Sequence, residues 1–339
     1  MFSKVDTIKQ KILDDIRQGR LKPGGPLYSR HQFMKRYGCS RGSIDLAIKE
    51  LTANGYVYSR QGAGTYVSDV FPQTSEVSRV FVVENFRKAY TADDFLYTSY
   101  IVSEIQRSIP CFLYRADEIS INLRNIVRPG SAVVWLRPSY DKMMLMDYIA
   151  AAGVPQVLIG RRYGDYDYID TDSRTSVAEA MEWLKRQGLH ELAFVARSYK
   201  TDYPYIAERQ TDFYEVLIAA EMKIRPQWLQ VRDFTEEEKE IELVINALFG
   251  CREEAPKAIY IDFRDIVPRF IAMAEMRGFR AGKDYRLLAF DYIEELAGRP
   301  GLGMLAQRQR AIENKAVEWA LSAKLRGSKI GIKPEFLFW

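Results

Sequence analysis

Apolar residues change their repeat within the first seventy positions, from the spacing of a helix to the alternation of a strand, and few small folds satisfy both. Val5, Ile8, Ile12 and Ile16 recur three and four apart, which predicts one helix with a single buried stripe ending near Gly19. Leu21-Lys22-Pro23-Gly24-Gly25-Pro26 cannot stay helical, because proline removes backbone donors and glycine favours turns. A second helix is predicted over roughly Arg30 to Tyr37, with Phe33, Met34 and Tyr37 facing inward. Gly38 supplies a turn, Ser40 is placed to cap a third helix, and Ile44, Ala47, Ile48 and Leu51 form its buried side up to Gly55. Beyond Gly55, Tyr56-Val57-Tyr58-Ser59-Arg60 and Thr65-Tyr66-Val67 read as two strands around Gln61-Gly62-Ala63-Gly64.

Helix, short turn with glycine, helix is the arrangement that puts a second helix into the major groove of DNA, and the hairpin after it reads as a wing. Glycines at the hairpin tip let backbone amides come close to a phosphate or a minor groove. The charge distribution agrees with this, although a basic solvated surface is the plainer alternative. Residues 1–70 carry 12 Lys and Arg against 6 Asp and Glu, a surplus of +6, so the remainder of this +4 chain sums to −2.

These residues resemble the GntR family of regulators. The likeness rests on Gly19-Arg20-Leu21-Lys22-Pro23-Gly24, Gly38-Cys39-Ser40-Arg41, Leu51-Thr52-Ala53-Asn54-Gly55-Tyr56-Val57 and Arg60-Gln61-Gly62-Ala63-Gly64-Thr65-Tyr66-Val67, which stand in the family's order and spacing. The resemblance implies that Ser40, Arg41, Gly42 and Ser43 meet duplex DNA, together with Gly62 and Gly64 of the wing. Arg30 and Arg60 complete the expected basic face, and two departures fall on it. His31 stands where the family usually has an arginine after a Pro-Ser pair, with Tyr28 replacing the proline. Asp45 stands where a second family arginine often sits; a carboxylate there repels phosphate but can accept a hydrogen bond from cytosine N4, and a solvent-facing role is the other reading. The expected operator therefore differs from the common one of the family.

Ser68 to Ser78 is polar and without period, and reads as a linker. Beyond it, strand-like runs at Val80–Val83, Ala132–Leu136, Gln156–Ile159, Leu192–Val195, Ala258–Ile261 and Leu287–Phe290 alternate with helical patterns, which implies parallel α/β layers. Ligands of such sheets bind beyond the carboxyl ends of the strands. The residues there are polar, charged or aromatic, and Phe86, Arg137, Arg161, Phe263 and Asp291 suit a sugar: rings cover C–H surface while charged groups pair with hydroxyls. Arginines at several strand mouths also suit an acidic or phosphorylated sugar. Tyr97 either stacks on the ligand or packs in the core.

The order of these elements resembles the effector-binding core of the LacI/GalR family, itself similar to periplasmic sugar-binding proteins. Its clearest pieces are Gly153-Val154-Pro155-Gln156-Val157-Leu158-Ile159, Ile169-Asp170-Thr171-Asp172-Ser173, Glu208-Arg209-Gln210-Thr211-Asp212-Phe213, Phe290-Asp291-Tyr292 and Gln307. This resemblance implies that Arg209 and Asp291 grip ligand hydroxyls and that Gln307 lies on the hinge side of the cleft; Phe263 falls near a position where many relatives have asparagine.

The expected fold is α/β: a small N-terminal winged helix-turn-helix joined to a two-lobed, periplasmic-binding-protein-like (type I) domain with parallel sheets. The expected boundaries are 1–70 for the DNA-binding part, 71–78 for the linker and 79–339 for the effector-binding part. One lobe is expected over about 79–174 and 307–327, the other over about 175–306 and 328–339. A GntR-type head on a LacI-type sensor resembles the arabinose-repressor-like subfamily. That implies a homodimeric repressor of carbohydrate-utilisation genes that binds operator double-stranded DNA and answers to a monosaccharide or sugar derivative. A large domain that serves only dimerisation or protein docking is the competing reading.

Catalysis, cofactors, metals and membranes are not expected. Cys39, Cys111 and Cys251 show no paired spacing, which fits a reducing, cytoplasmic compartment, and His31 and His190 are too few for a histidine metal centre. No phosphate-binding Gly-x-x-x-x-Gly-Lys loop is present, no lysine stands in a convincing pyridoxal-phosphate context, and no apolar run reaches the length of a membrane span.

Overall fold

The structure, a computed structural model, describes residues 4–17, 20–53, 56–60, 62–68, 77–85, 92–200 and 205–339. Gly19, Gly55, Gln61, Phe86 and most of the expected linker lie outside that set.

The N-terminal segment holds α1 (Lys4–Arg17), α2 (Arg30–Tyr37), α3 (Arg41–Ala53), β1 (Val57–Arg60) and β2 (Gly64–Val67), the order the periodicity predicts. Ile8, Ile12 and Ile16 of α1, Phe33 of α2, Ile44, Ala47, Ile48 and Leu51 of α3, and Val57 and Val67 of the hairpin share one core. Met34 departs from expectation at 39% exposure. In a helix each residue turns about 100° from the last, so the step that buries Phe33 carries its neighbour outward. α2 opens on a full capping box: Ser29 Oγ accepts from the Gln32 amide and Gln32 Oε1 accepts from the Ser29 amide. It closes at Gly38, whose φ of 64° is left-handed and whose N–H donates to the Met34 carbonyl. The proline- and glycine-rich segment finds its backbone partners on the hairpin. The Gly24 and Leu27 amides donate to the Val67 and Thr65 carbonyls, and the Val67 amide donates to the Gly25 carbonyl. A stretch that cannot be helical thus braces the wing.

The larger part continues with β3 (Arg79–Glu84), α4 (Ala92–Gln106), β4 (Cys111–Arg115), α5 (Ile119–Ile126), β5 (Ser131–Leu136), α6 (Met143–Ala151), β6 (Gln156–Ile159) and β7 (Asp167–Thr171). Next come α7 (Ser173–Arg186), β8 (Ala193–Arg197), α8 (Tyr205–Ala219), β9 (Leu229–Arg232), α9 (Glu237–Phe249), β10 (Ala258–Ile261) and α10 (Val267–Met276). The chain ends with β11 (Arg286–Phe290), β12 (Leu302–Ala306), α11 (Gln309–Leu321), β13 (Lys329–Ile332) and β14 (Glu335–Phe338). These strands build two six-stranded sheets, ordered β13-β7-β6-β5-β3-β4 and β14-β12-β11-β10-β8-β9. β3 pairs in parallel with β4 and β5, β7 with β13, and β8 to β12 pair in parallel with their neighbours, whereas β14 runs antiparallel to β12.

By residue contact the chain divides into two units, Met1–Val157 with Ala316–Ser328 and Leu158–Lys315 with Lys329–Trp339. The division at 157 precedes the boundary expected at 174, because residues 161–173 bond to α8 and to Gln307: Arg162 and Ser173 both reach Asp212, and Thr171 reaches Gln307. Lys329–Trp339 falls whole in the second unit, and within it Lys329–Ile332 pairs with β7 and Glu335–Phe338 with β12. Pro334 lies between them and cannot donate to either ladder.

In the first unit the buried indole of Trp135 donates to Gln156 Oε1 at 2.8 Å, and the Gln156 amide donates in turn to the Met146 carbonyl, so both buried polar groups are satisfied. In the second unit the strand alternation sorts side chains onto two faces. Val195, Ile259, Ile261, Leu287 and Ala289 pack against α9 and α10, while Phe194, Tyr260, Leu288 and Phe290 pack against α7 and α8. Both faces are covered, as parallel sheets require.

Candidate nucleic-acid interface and ligand site

The turn between α2 and α3 presents the start of α3 to solvent. Ser40 Oγ accepts from the Ser43 amide at 3.3 Å, which caps the helix, and lies 2.8 Å from Ser43 Oγ. Arg41 is 76% exposed along its side chain, and a Cβ added at Gly42 would meet no protein atom within 4 Å. Ile44, Ala47, Ile48 and Leu51 form the buried face of α3, while Ser40, Arg41 and Gly42 at its start are exposed. His31 is exposed on α2.

Arg30 and Asp45 do not stand independently. Arg30 Nε lies 3.0 Å from Asp45 Oδ1, and Arg41 Nε lies 3.9 Å from Asp45 Oδ2. The carboxylate expected to face DNA thus sits between two arginines of the helix pair.

The wing carries Gly62 at φ +74° and Gly64 at φ +106°, both with open space where a Cβ would project. Beside them Arg60 is ordered by two stacked tyrosines. Its guanidinium lies 5.3 Å over the Tyr58 ring and 5.0 Å over the Tyr66 ring, and Nη2 donates to the Tyr58 hydroxyl at 3.0 Å. The Tyr66 hydroxyl donates to the Ala63 carbonyl at 3.1 Å, which ties down the tip.

In the second unit, charged groups from the β6–β7 connection, α7 and α8 gather. Arg162 Nη2 donates to Asp212 at 2.7 Å, and its Nε lies 3.4 Å from Asp170 and 3.7 Å from Glu208. Ser173 Oγ donates to the same Asp212 oxygen. Burial opposes the charge of Arg162, yet Asp212, Asp170 and Glu208 hold it firmly protonated. Burial pushes Glu208 up to about 7, and the Asp170 carboxylate adds to the push. Arg161, also buried, lies 5.0 Å over the Tyr205 ring.

Arg209 and Asp291 come together in this unit, as does Gln307. The Arg209 guanidinium lies 3.6 Å over the Phe290 ring and 5.2 Å over Tyr205, and Nη1 donates to the Asp262 carbonyl at 2.8 Å. Burial drives Asp262 up to about 7 despite the Arg209 charge beside it. Gln307 Nε2 donates to Asp291 at 2.7 Å, while Gln307 Oε1 accepts from the Thr171 hydroxyl at 2.5 Å. Asp291 has a φ of 84°, a region costly for a residue with a side chain.

Phe263 packs in the apolar core edge-on to Phe234 at 5.0 Å, with Arg197 covering its ring at 4.4 Å. In the first unit the Arg137 guanidinium lies 5.0 Å over the Tyr97 ring, and Arg137 has a φ of 48°. Phe86 is outside the described residues. Arg162, Asp212, Glu208 and Tyr205 were not among the expected contacts. Arg162 adjoins Arg161, and Glu208 and Asp212 lie in the motif that holds Arg209, whereas nothing local distinguishes Tyr205. Paired arginines and carboxylates with a ring between them can engage neighbouring hydroxyls in bidentate fashion. No group of three potential metal ligands, and no helix long and apolar enough to cross a membrane, occurs among the described residues.

Residues 4–67 match the bacterial regulatory proteins of the gntR family. The arabinose metabolism transcriptional repressor of Halalkalibacterium halodurans is 37% identical over 79 residues, 23% of this chain and 21% of that protein, so the match spans about a fifth of the relative. A repressor of the same description from Geobacillus stearothermophilus is 22% identical over 303 residues, 84% of this chain and 80% of that one. The crystal structure of a regulatory protein of the LacI family from Chloroflexus aggregans has a TM-score of 0.61 at 18% identity, covering 76% of this chain and 96% of that chain, a likeness of fold. The chain therefore joins an N-terminal segment that matches the gntR family of bacterial regulatory proteins to a fold similar to that of a LacI-family regulatory protein.

Proposed function

We propose that this protein is a sequence-specific, operator-binding transcription regulator, a repressor of carbohydrate-utilisation genes, controlled by a sugar-like effector and acting without catalysis. The observation that carries the reading is the exposed, capped N-terminal edge of α3 in a segment whose hairpin tip carries Gly62 and Gly64 in open space. An exposed helix start and a glycine-tipped wing in one small segment fit groove and phosphate contacts together. In this reading residues 1–70 form the DNA-binding part, 71–78 the linker and 79–339 the effector-binding part, working as a cytoplasmic homodimer on half-sites about 34 Å apart.

The effector engages Arg209, Asp291 and Gln307 in the second unit, with Arg162 and Asp212 beside them. The match to a repressor of arabinose metabolism over most of the chain supports a sugar as ligand class. Effector and operator affinities are linked, and a coupling of about 1–3 kcal/mol is typical of such pairs.

The test is selection of duplexes from a random pool, followed by titration of the selected duplex with and without L-arabinose, other pentoses, hexoses, uronates and sugar phosphates. One of them is expected to change duplex affinity by roughly tenfold or more, since each 1.4 kcal/mol of coupling is about tenfold. A pool that yields no preferred sequence defeats the DNA-binding reading. A preferred sequence whose affinity ignores every sugar defeats the effector reading.

A further inference from the structure

We infer that Asp45 is a positioning residue that sets operator specificity by holding two arginines, and that it reads no base itself. The inference rests on the DNA-binding reading above and goes beyond it.

Both carboxylate oxygens of Asp45 face an arginine. Oδ1 lies 3.0 Å from Arg30 Nε on α2, and Oδ2 lies 3.9 Å from Arg41 Nε one turn earlier on α3. The side chains of Asp45 and Arg41 are 50% and 76% exposed, and ion pairs this open contribute little to folding. The arrangement therefore has small value as a structural tie. Its effect falls on the face that meets nucleic acid. Arg30 is fixed through Nε, which leaves its Nη1–Nη2 edge to present two N–H donors in a plane, the geometry that matches guanine O6 and N7. The carboxylate also offsets positive charge at the helix start. Attraction to phosphates of any sequence is weakened, while base-edge contacts made by an oriented guanidinium are kept.

The full chain is compared with Asp45→Asn, Asp45→Ala and Arg30→Lys, using the duplex selected by the wild type and a scrambled duplex, each titrated at two salt concentrations. Both Asp45 variants are expected to melt as the wild type does and to bind the scrambled duplex more tightly. Their salt slope should steepen by about one unit, and their preference for the selected duplex should fall tenfold or more. Fresh selections with them should relax at G·C pairs. Arg30→Lys keeps the charge and loses the planar fork, so it should lose the preference without the gain on scrambled duplex. Unchanged preference and salt slope in the Asp45 variants overturn the inference. So does an Asp45→Asn selection that switches one C·G pair to A·T, because asparagine reading adenine in place of aspartate reading cytosine marks a direct contact. Failure of the wild type to select any sequence removes the DNA-binding reading as well, and is thereby told apart from failure of the Asp45 role alone.

Discussion

Asp15 of α1 and Tyr37 of α2 tie their helices together, the tyrosine hydroxyl donating at 2.7 Å to a carboxylate that is 4% exposed. Arg20 Nε donates to the same group at 2.6 Å, and Arg36 Nε lies 3.1 Å away. Burial opposes the charge, but these three partners outweigh it and hold the Asp15 carboxyl below the ordinary aspartate range. Asp15→Asn is expected to destabilise the N-terminal segment by about 2 kcal/mol at neutral pH, the order of a hydrogen bond to a charged group. The folded pKa is depressed, so the contribution is complete above the unfolded value of about 3.9 and is lost as pH falls through the folded one. Hydrogen exchange of α1 to α3 at pH 7 and pH 3 checks this, and a gap between wild type and variant that is equal at both is the contrary result.

Gly62→Ala separates folding from DNA contact. At φ +74° an alanine is strained by about 1 kcal/mol, yet its methyl would touch no protein atom within 4 Å. The melting temperature should drop slightly, while affinity for the selected duplex should fall tenfold or more, since in the proposed interface the methyl stands between the wing backbone and a phosphate. A small loss of affinity that merely tracks the loss of stability would remove the wing from the interface.

The helices and buried strands were legible because period and burial coincide in them. Gln156–Ile159 and Ala258–Ile261 are strands over the expected residues, since Val157-Leu158-Ile159 and Ala258-Ile259-Tyr260-Ile261 are continuous apolar runs. The edge strand β13 was not legible, because Lys329-Ile330-Gly331-Ile332 gives no uninterrupted apolar run; β4 does carry one, Cys111-Phe112-Leu113-Tyr114, and was not among the expected strands. β12 was hidden by Gly303, where a side chain would meet Leu288 Cδ2 at 2.7 Å and where the glycine therefore serves close sheet packing. The same limit governs the proposed ligand residues. Motif order singles out Arg209, Asp291 and Gln307, which share the second unit, while Phe263, chosen for its place after a strand, packs into the core, because position along a strand end does not fix which face a side chain takes. The pairing of Asp45 with Arg30 spans fifteen positions and depends on the crossing of α2 and α3, which no local pattern encodes.

Asp291→Asn tests the ligand assignment with little disturbance of the fold. Asparagine tolerates a φ of 84° and its carbonyl can still accept from Gln307 Nε2, but a counter-charge to Arg209 disappears. Stability without ligand should stay within about 1 kcal/mol. A sugar that stabilises the wild type by about 2.7 kcal/mol at a hundred times its Kd should stabilise the variant by less than half of that at the same concentration. An undiminished shift would place the sugar away from Asp291.

Glu208 gives the second unit a pH dependence of opposite sign to that of Asp15. Its carboxyl is pushed up to about 7 by burial and by Asp170, against about 4.3 in an unfolded chain. The folded protein keeps this proton to higher pH, so the associated stability is complete below about pH 4 and is lost as pH rises towards 7. Asp262, raised to about 7 as well, adds a slope of the same sign that remains in a Glu208 variant. Glu208→Gln is neutral at every pH and should exceed the wild type in stability at pH 8 by roughly 2–3 kcal/mol, with the difference closing near pH 4.5. Denaturant titrations at pH 5 and pH 8 measure it. A glutamine variant that is the less stable one at pH 8 would mean that the pull of Arg162, 3.7 Å away, exceeds the cost of burying the carboxylate.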